Sequence, residues 1–380
     1  MTTFRIPFNR PALTGREFDY MRRAIESGHI SGDGPFTRRC QVLLEELLGV
    51  PKVLLTTSCT HALEMAALLL CIEPGDEVIL SPFTFVSTVN AFVLRGARPA
   101  FVDIRPDTLN LDEQAIASRV GPRTKAIVAV HYAGVACEMD ALTSIAAARE
   151  VVLVEDNAHG LLGTYKGRPL GTFGMLATLS FHETKNISCG EGGALAINDR
   201  SLINRAEILR EKGTDRSRFF RGEVDKYGWV DLGSSYVPSD LLAAFLLAQL
   251  EARDTLQARR RGIWHRYRDA LASWAVSLGA VLPFVPAYVE QAYHMFYVVM
   301  PSPGARDGLI AHLKGRDILA VFHYLPLNTS PMGRVLAPAN PACPIAESIS
   351  ARLVRLPFYA DLSGDDQAFV IESVMEFVDA

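Results

Sequence analysis

Between residues 50 and 200 the chain alternates short β-branched runs with helix-forming segments, a pattern that few architectures accept. Parallel strands need crossovers long enough to hold a helix, and they are buried on both faces, so they read as continuous apolar runs. The runs 52–56, 77–80, 100–104, 126–131 and 151–155 have this character. Segments 60–70 and 140–149 supply helices between them, the second following a turn at 132–134. The expectation is an α/β protein with a mostly parallel mixed sheet. After Asp156 the texture changes to short, glycine-punctuated strands at 163–165, 177–181 and 193–197, which read as the antiparallel end of that sheet.

A helical stretch is expected from 239 to about 271, with the arginine-rich portion 257–268 as a solvated face. Beyond it, strand-like residues 294–300, a helix over 307–315 and the segment 318–323 suggest a smaller α+β unit. With 380 residues, 49% of them hydrophobic, the chain can bury more than one core. The division is placed near residue 250, leaving 1–250 as the large unit with an N-terminal segment and 251–380 as the small one.

A net charge of −4 argues against binding nucleic acid through bulk charge, which needs a concentrated basic surface. The six cysteines form no Cys-x-x-Cys pair and fit reduced thiols in a cytoplasmic protein better than a disulfide framework or a zinc site. No apolar run is long enough to span a membrane, and the first ten residues hold no export signal, so no membrane partner is expected. The nine histidines lack His-Glu-x-x-His spacing, so no metal is expected. Neither a Gly-x-Ser-x-Gly elbow nor a nucleotide-binding glycine loop follows a strand.

What remains is chemistry at strand ends, where ligands of open α/β sheets bind. Asp156 closes an almost wholly apolar run, where a carboxylate needs a cationic or hydrogen-bonding partner. Lys185 follows 29 residues later in Ser-Phe-His-Glu-Thr-Lys-Asn, residues 180–186. A lysine able to form an imine with an aldehyde, and a carboxylate able to keep a pyridine nitrogen protonated, are what pyridoxal phosphate most needs from a protein. The turn Thr-Ser-Cys-Thr, residues 57–60, leads from a strand into a helix and can offer N–H groups to a phosphate; its simpler reading is an ordinary helix cap by Ser58 or Thr60. His159 is placed for the cofactor's phenolic oxygen, Ser180 for its phosphate, and an aromatic ring from 82–85 for its face. Taken alone, these would more simply be a buried histidine, an ordinary serine and a core phenylalanine.

These residues, in this order, resemble the sugar aminotransferases of the DegT/DnrJ/EryC/StrS type, which have the aspartate aminotransferase fold, fold type I. The likeness runs through Ser-Gly-Asp-Gly-Pro (31–35), the 57–60 turn, Pro-Gly-Asp-Glu-Val-Ile (74–79), Phe-Thr-Phe-Val-Ser-Thr (83–88), Glu-Asp-Asn-Ala-His (155–159) and the 180–185 passage. Within that family, residues 102–108, 131–140, 181–186 and 210–227 are similar to dTDP-4-amino-4,6-dideoxygalactose transaminases. The resemblance implies Lys185 as the imine lysine, Asp156 on the pyridine nitrogen, Phe85 stacked on the ring, His159 at the phenolic oxygen, and Cys59, Thr60 and Ser180 at the phosphate. Ser235 stands where the wider family commonly has an asparagine that reaches the phosphate from the second subunit of a homodimer, and Val237 replaces the usual arginine.

It further implies pyridoxal 5'-phosphate as cofactor, with pyridoxamine 5'-phosphate as intermediate, L-glutamate as amino donor and dTDP-4-keto-6-deoxy-D-glucose as acceptor. The product is dTDP-4-amino-4,6-dideoxygalactose or its glucose epimer, according to the face of C4 that is protonated. Arg221, in the basic segment 216–226, is implied at the nucleotide, and His323 and Tyr324 at the sugar. Another nucleotide-linked keto sugar, or a cofactor-binding regulatory protein without turnover, is the alternative. Related dehydratases resemble this family with histidine at the lysine position, and Lys185 argues against that chemistry.

Overall fold

The computed structural model describes residues 4–339 and 341–378, and its centre is a seven-stranded sheet. Across the sheet lie Lys52–Thr56, Gly193–Ile197, Leu176–Ser180, Val152–Asp156, Thr124–Val130, Glu77–Leu80 and Arg98–Phe101. Gly193–Ile197 is antiparallel to both neighbours, and every other pair is parallel. The other six strands therefore share a direction, and their carboxyl ends, among them Thr56, Leu80, Val130, Asp156 and Ser180, line one edge.

The apolar runs are continuous because each strand feeds two cores at once. Leu54, Val78, Leu80 and Val154 pack with helices Cys59–Leu69 and Val86–Val93. Val53, Leu55, Ala177 and Leu179 face the helices Pro35–Leu48 and Asp240–Glu251, while Ile79, Ile127 and Leu153 face Met139–Ala148. Burying each such Leu, Ile or Val contributes about 1.5–3 kcal/mol. A separate cluster joins Ile6 to the helices Arg253–Leu278, Pro303–Gly315 and Gly364–Met375 and to the short ladder of Tyr297–Val299 with Leu353–Arg355. It contains no residue of the large sheet. We propose that this cluster is the core of the smaller unit, with the division at the break between Glu251 and Arg253.

Several expectations change. Leu176–Ser180 is parallel to Val152–Asp156, so the antiparallel character is confined to Gly193–Ile197. Thr164–Tyr165 leaves the large sheet for a small one with Arg168–Pro169 and Val289–Glu290. The strand expected at 100 begins at Arg98, because an edge strand tolerates Pro99. The expected helix over 239–271 is two helices that meet at Ala252, with no glycine or proline to mark the turn. The first is capped by Ser239, whose hydroxyl accepts from the N–H of Leu242. Arg260, expected in solvent, is 3% exposed and donates to the carbonyls of Tyr293 and His294 while packing over Phe358 at 4.8 Å.

One buried carboxylate fixes the strand that presents Asp156. Glu155 is fully buried and accepts from the N–H groups of Gly171 (2.8 Å), Phe173 (2.6 Å) and Gly174 (2.8 Å). His131 supplies a fourth contact: its Nδ1 accepts from the N–H of Cys137, so Nε2 carries the proton and donates to Glu155 at 2.9 Å. All four donors point at one side chain, so an amide there would oppose an N–H to an N–H. Glu155→Gln is expected to destabilise the fold by about 3–5 kcal/mol, the usual cost of breaking a buried charge network. Thermal unfolding checks this; an unchanged midpoint would contradict it.

Candidate active site

The sheet register brings three strand ends side by side: Thr56 pairs with Gly193, and Gly193 pairs with Ser180. The turn after Thr56 passes directly over Gly193, where an added Cβ would lie 2.3 Å from the nitrogen of Cys59. Only glycine allows this approach. Ser58 caps the helix Cys59–Leu69 by accepting from the N–H of His61 at 3.1 Å, so the simpler reading of the turn is correct as far as it goes. The N–H groups of Cys59 and Thr60 have no acceptor among the described residues, and neither does the hydroxyl of Ser180. The Thr60 hydroxyl donates to Ser87 at 2.8 Å, tying the turn to the next helix. Three free donors and a helix N-terminus around one glycine suit a phosphate.

Asp156 is 4% exposed. Its Oδ2 accepts from the hydroxyl of Thr88 at 2.7 Å, and its Oδ1 from the N–H of Ala158 at 3.2 Å. Thr88 is in turn 2.9 Å from the hydroxyl of Thr84. No cation of the described residues forms an ion pair with this carboxylate, and burial raises its pKa in spite of the two hydrogen bonds. Lys185 retains some exposure, yet the protein packed around its ammonium lowers its pKa to about 8, against the opposing pull of Cys59 and Asp156. Its loop is held by Lys185 N–H to the carbonyl of His182 at 2.9 Å and by Asn186, which donates to the carbonyl of Ala292. Burial pushes the Cys59 thiol up, so it is not a nucleophile here.

Aromatic and imidazole rings wall the same edge. His159 stacks on His294 with ring centroids 4.1 Å apart, and burial, then the charges of Lys185 and Arg355, hold its pKa well below the usual value. It is a neutral imidazole whose buried Nδ1 has no partner in the protein. Its Nε2 lies 3.4 Å from the Tyr324 hydroxyl. His323 Nδ1 is hydrogen-bonded to the Tyr132 hydroxyl at 2.7 Å. Tyr324 stacks on His323 at 3.6 Å and is held at φ +37°, a strained backbone for a bulky residue. Phe83 is core, packed on Tyr132, whereas Phe85 is 57% exposed and tilted toward Tyr324 at 6.5 Å, an aromatic face left open.

The structure thus gathers Cys59, Thr60, Phe85, Asp156, His159, Ser180, Lys185, His323 and Tyr324 at one edge. It leaves two expected residues outside. Arg221 pairs with Glu207 (2.7 Å) and Glu223 (2.6 Å) on the surface, and Ser235 is exposed beside a bridge to Glu211. Ser235 does adjoin Tyr236, whose carbonyl receives the N–H of Thr57 at 2.9 Å. Thr88, Tyr132, His294 and Arg355 join the site with no motif of their own. The signal for Arg355 was present all the same: like Asp156, it is a charge inside an apolar run, here Leu353 to Phe358.

The donor set fits pyridoxal phosphate. Free amides and a hydroxyl would suit its phosphate, a buried carboxylate without a counter-ion its pyridine nitrogen, an imidazole with an unpartnered nitrogen its phenolic oxygen, and a lysine of low pKa its aldehyde.

Comparison with known proteins agrees. Residues 11–375 match the model of the DegT/DnrJ/EryC1/StrS aminotransferase family. The spore coat polysaccharide biosynthesis protein SpsC of Bacillus subtilis is 33% identical over 381 residues, covering 98% of this chain and 97% of that protein. The aminotransferase TlmJ of Streptoalloteichus hindustanus superposes with a TM-score of 0.89 at 31% identity, covering 99% of this chain and 98% of that one. A candidate sugar aminotransferase of Streptococcus pneumoniae, solved in its PMP form, gives a TM-score of 0.89 at 27% identity over 97% and 96% of the two chains. The sheet is that of a fold type I aminotransferase, and the chain belongs to the DegT/DnrJ/EryC1/StrS aminotransferase family.

Proposed function

We propose that this chain is a pyridoxal-phosphate-dependent sugar aminotransferase that moves the amino group of L-glutamate to C4 of dTDP-4-keto-6-deoxy-D-glucose. The product is dTDP-4-amino-4,6-dideoxygalactose or its glucose epimer. One juxtaposition carries the reading: Asp156, a buried carboxylate with no cation, in the field of Lys185, an amine whose pKa falls to about 8. The choice of sugar nucleotide is supported by the likeness of residues 102–108, 131–140 and 210–227 to transaminases of that substrate.

Pyridoxal phosphate, when bound, supplies an electron sink for the carbanion formed at the donor's α-carbon. The protein does the rest. Asp156, aligned by Thr88 and the N–H of Ala158, holds a proton on the ring nitrogen. Lys185, as the free amine, moves the proton between the donor's α-carbon and the carbon that receives it, first in one direction and then in the other. His159 orients the phenolic oxygen, Cys59, Thr60 and Ser180 hold the phosphate, and Phe85 covers one face. His323 and Tyr324 face the sugar. Ser235 and Arg221, exposed on this chain, serve a second copy of it in a homodimer, Ser235 at the phosphate and Arg221 at the nucleotide.

At pH 7 a lysine of pKa about 8 is neutral in about one molecule in ten, against roughly one in three thousand at its ordinary value. Its pKa is lowered, so the reactive amine is gained as pH rises through 8. The initial rate at which apoprotein takes up pyridoxal phosphate, followed by absorbance, is expected to climb about tenfold per unit below pH 8 and to level above it. A rise that continues to pH 10 would place the reactive amine elsewhere, as would an unchanged band in Lys185→Ala. Incubation with L-glutamate and dTDP-4-keto-6-deoxyglucose, with NMR of the sugar, tests the reaction, and the C4 coupling assigns the epimer. Arg221→Ala is expected to raise the KM for the sugar nucleotide about tenfold with cofactor affinity intact; an unaltered KM removes Arg221 from the nucleotide site.

A further inference from the structure

His294 is 3% exposed and lies face to face with His159, the ring centroids 4.1 Å apart and the planes within 16°. Its segment is clamped from three directions. The N–H of Ala292 donates to the carbonyl of Gly134 at 2.9 Å, Arg260 donates to the carbonyls of Tyr293 and His294, and the Asn186 amide donates to the carbonyl of Ala292. Tyr293 is held at φ +50°, a backbone that a bulky residue keeps only where its surroundings impose it. Tyr293 and Phe296 pack in the smaller core and Met295 in that of the large sheet, so the segment belongs to both.

The hydrogen bonds assign the protons. A carbonyl only accepts, so the Nδ2 of Asn186 faces Ala292 and its Oδ1 faces His294. Burial, then His159 and Lys185, keep His294 neutral, and its one proton sits on Nδ1, which donates to that oxygen at 2.9 Å. Asn186 directly follows Lys185 in the chain. One imidazole thus grips the loop of the lysine by its edge and His159 by its face. The other rings around His159, those of Tyr132, His323 and Tyr324, have centroids 6.2, 6.3 and 6.4 Å away, and the charges felt there are those of Lys185 and Arg355. Tyr324 reaches it only through its hydroxyl, 3.4 Å from Nε2. None supports its face as closely as His294 does. A packed ring locks the plane of its partner, and with it the direction of the partner's nitrogens. We infer that His294 is a positioning residue that aims His159 at the cofactor's phenolic oxygen and, through Asn186, holds the loop of Lys185. The inference rests on the place proposed for His159.

The test reads two quantities by absorbance: the pH midpoint at which the imine band of cofactor-loaded protein changes, and the initial rate at which apoprotein takes up pyridoxal phosphate. A donor on the phenolic oxygen stabilises its negative charge and weakens its hold on the imine proton, so losing that donor raises the midpoint. His159→Phe is expected to raise it by about one unit. His294→Asn keeps a donor where Nδ1 stood but removes the stacked ring; it should reproduce most of that rise, with uptake within about twofold of wild type. His294→Phe keeps a flat ring but loses the bond to Asn186; it should leave the midpoint within a few tenths of a unit and slow uptake about tenfold. Adding His294→Asn to His159→Phe should raise the midpoint no further, as expected of a residue that acts through another. Nitrogen-15 NMR of histidine-labelled protein should show His294 protonated at Nδ1 alone. A midpoint that moves in His159→Phe but not in His294→Asn overturns this inference alone, as do additive shifts in the double variant or a proton on Nε2 of His294. A midpoint unmoved in His159→Phe overturns the place proposed for His159 and this inference together.

Discussion

A carboxylate held away from water with no positive charge against it is the constraint around which this chain is built. Desolvating a carboxylate costs several kcal/mol, and two hydrogen bonds from Thr88 and Ala158 offset only part of that. A protein keeps such a group only if something else holds it in place, and here that is the preceding residue. Glu155, saturated by three amides and His131, anchors the strand end and forces Asp156 to face the edge where the parallel strands stop. The same register sets Thr178 beside Asp156, so the loop that carries Lys185 leaves from the strand next to the carboxylate. Burial then acts on both groups in opposite senses, raising the acid and lowering the base.

The two parts of the chain divide the work. The edge of the large sheet supplies the groups that suit a phosphate, a ring nitrogen and a phenolic oxygen. Segments from beyond residue 290 supply a wall of His294, His323, Tyr324 and Arg355 against it. That wall is rigid: His294 is held by Asn186, His323 by Tyr132, and Tyr324 sits in a strained backbone whose carbonyl accepts from Ser350. Rigid rings and fixed donors limit the reorganisation that a charged reactant would demand. The site therefore needs both segments packed together, and Met295, Tyr297 and Leu353 join them by entering the core cluster of the large sheet.

Much of this was legible in the residues because local chemistry and global fold agree. Lys52–Thr56 and Glu77–Leu80 appear where the apolar runs place them, since doubly buried strands have few other readings. Asp156 and Lys185 stood out because a charge at the end of an apolar run is expensive without a purpose. What escaped was set by long-range packing. Arg260 looks like surface in an arginine-rich stretch, and only the carbonyls of Tyr293 and His294, brought from a distant segment, make it a buried residue. The break at Ala252 follows from one helix serving the large core and the next serving the other, a demand that no local signal records. Thr88 is one hydroxyl among several until the sheet carries it to Asp156.

The most direct measurement is the nitrogen-15 chemical shift of ring-labelled pyridoxal phosphate bound to the protein, followed from pH 6 to pH 9. A pyridine nitrogen protonated throughout that range, and losing its proton when Asp156 is replaced by asparagine, is the expected result. A neutral ring nitrogen in the wild-type protein, or a protonated one indifferent to the substitution, would contradict the pairing on which the site is founded.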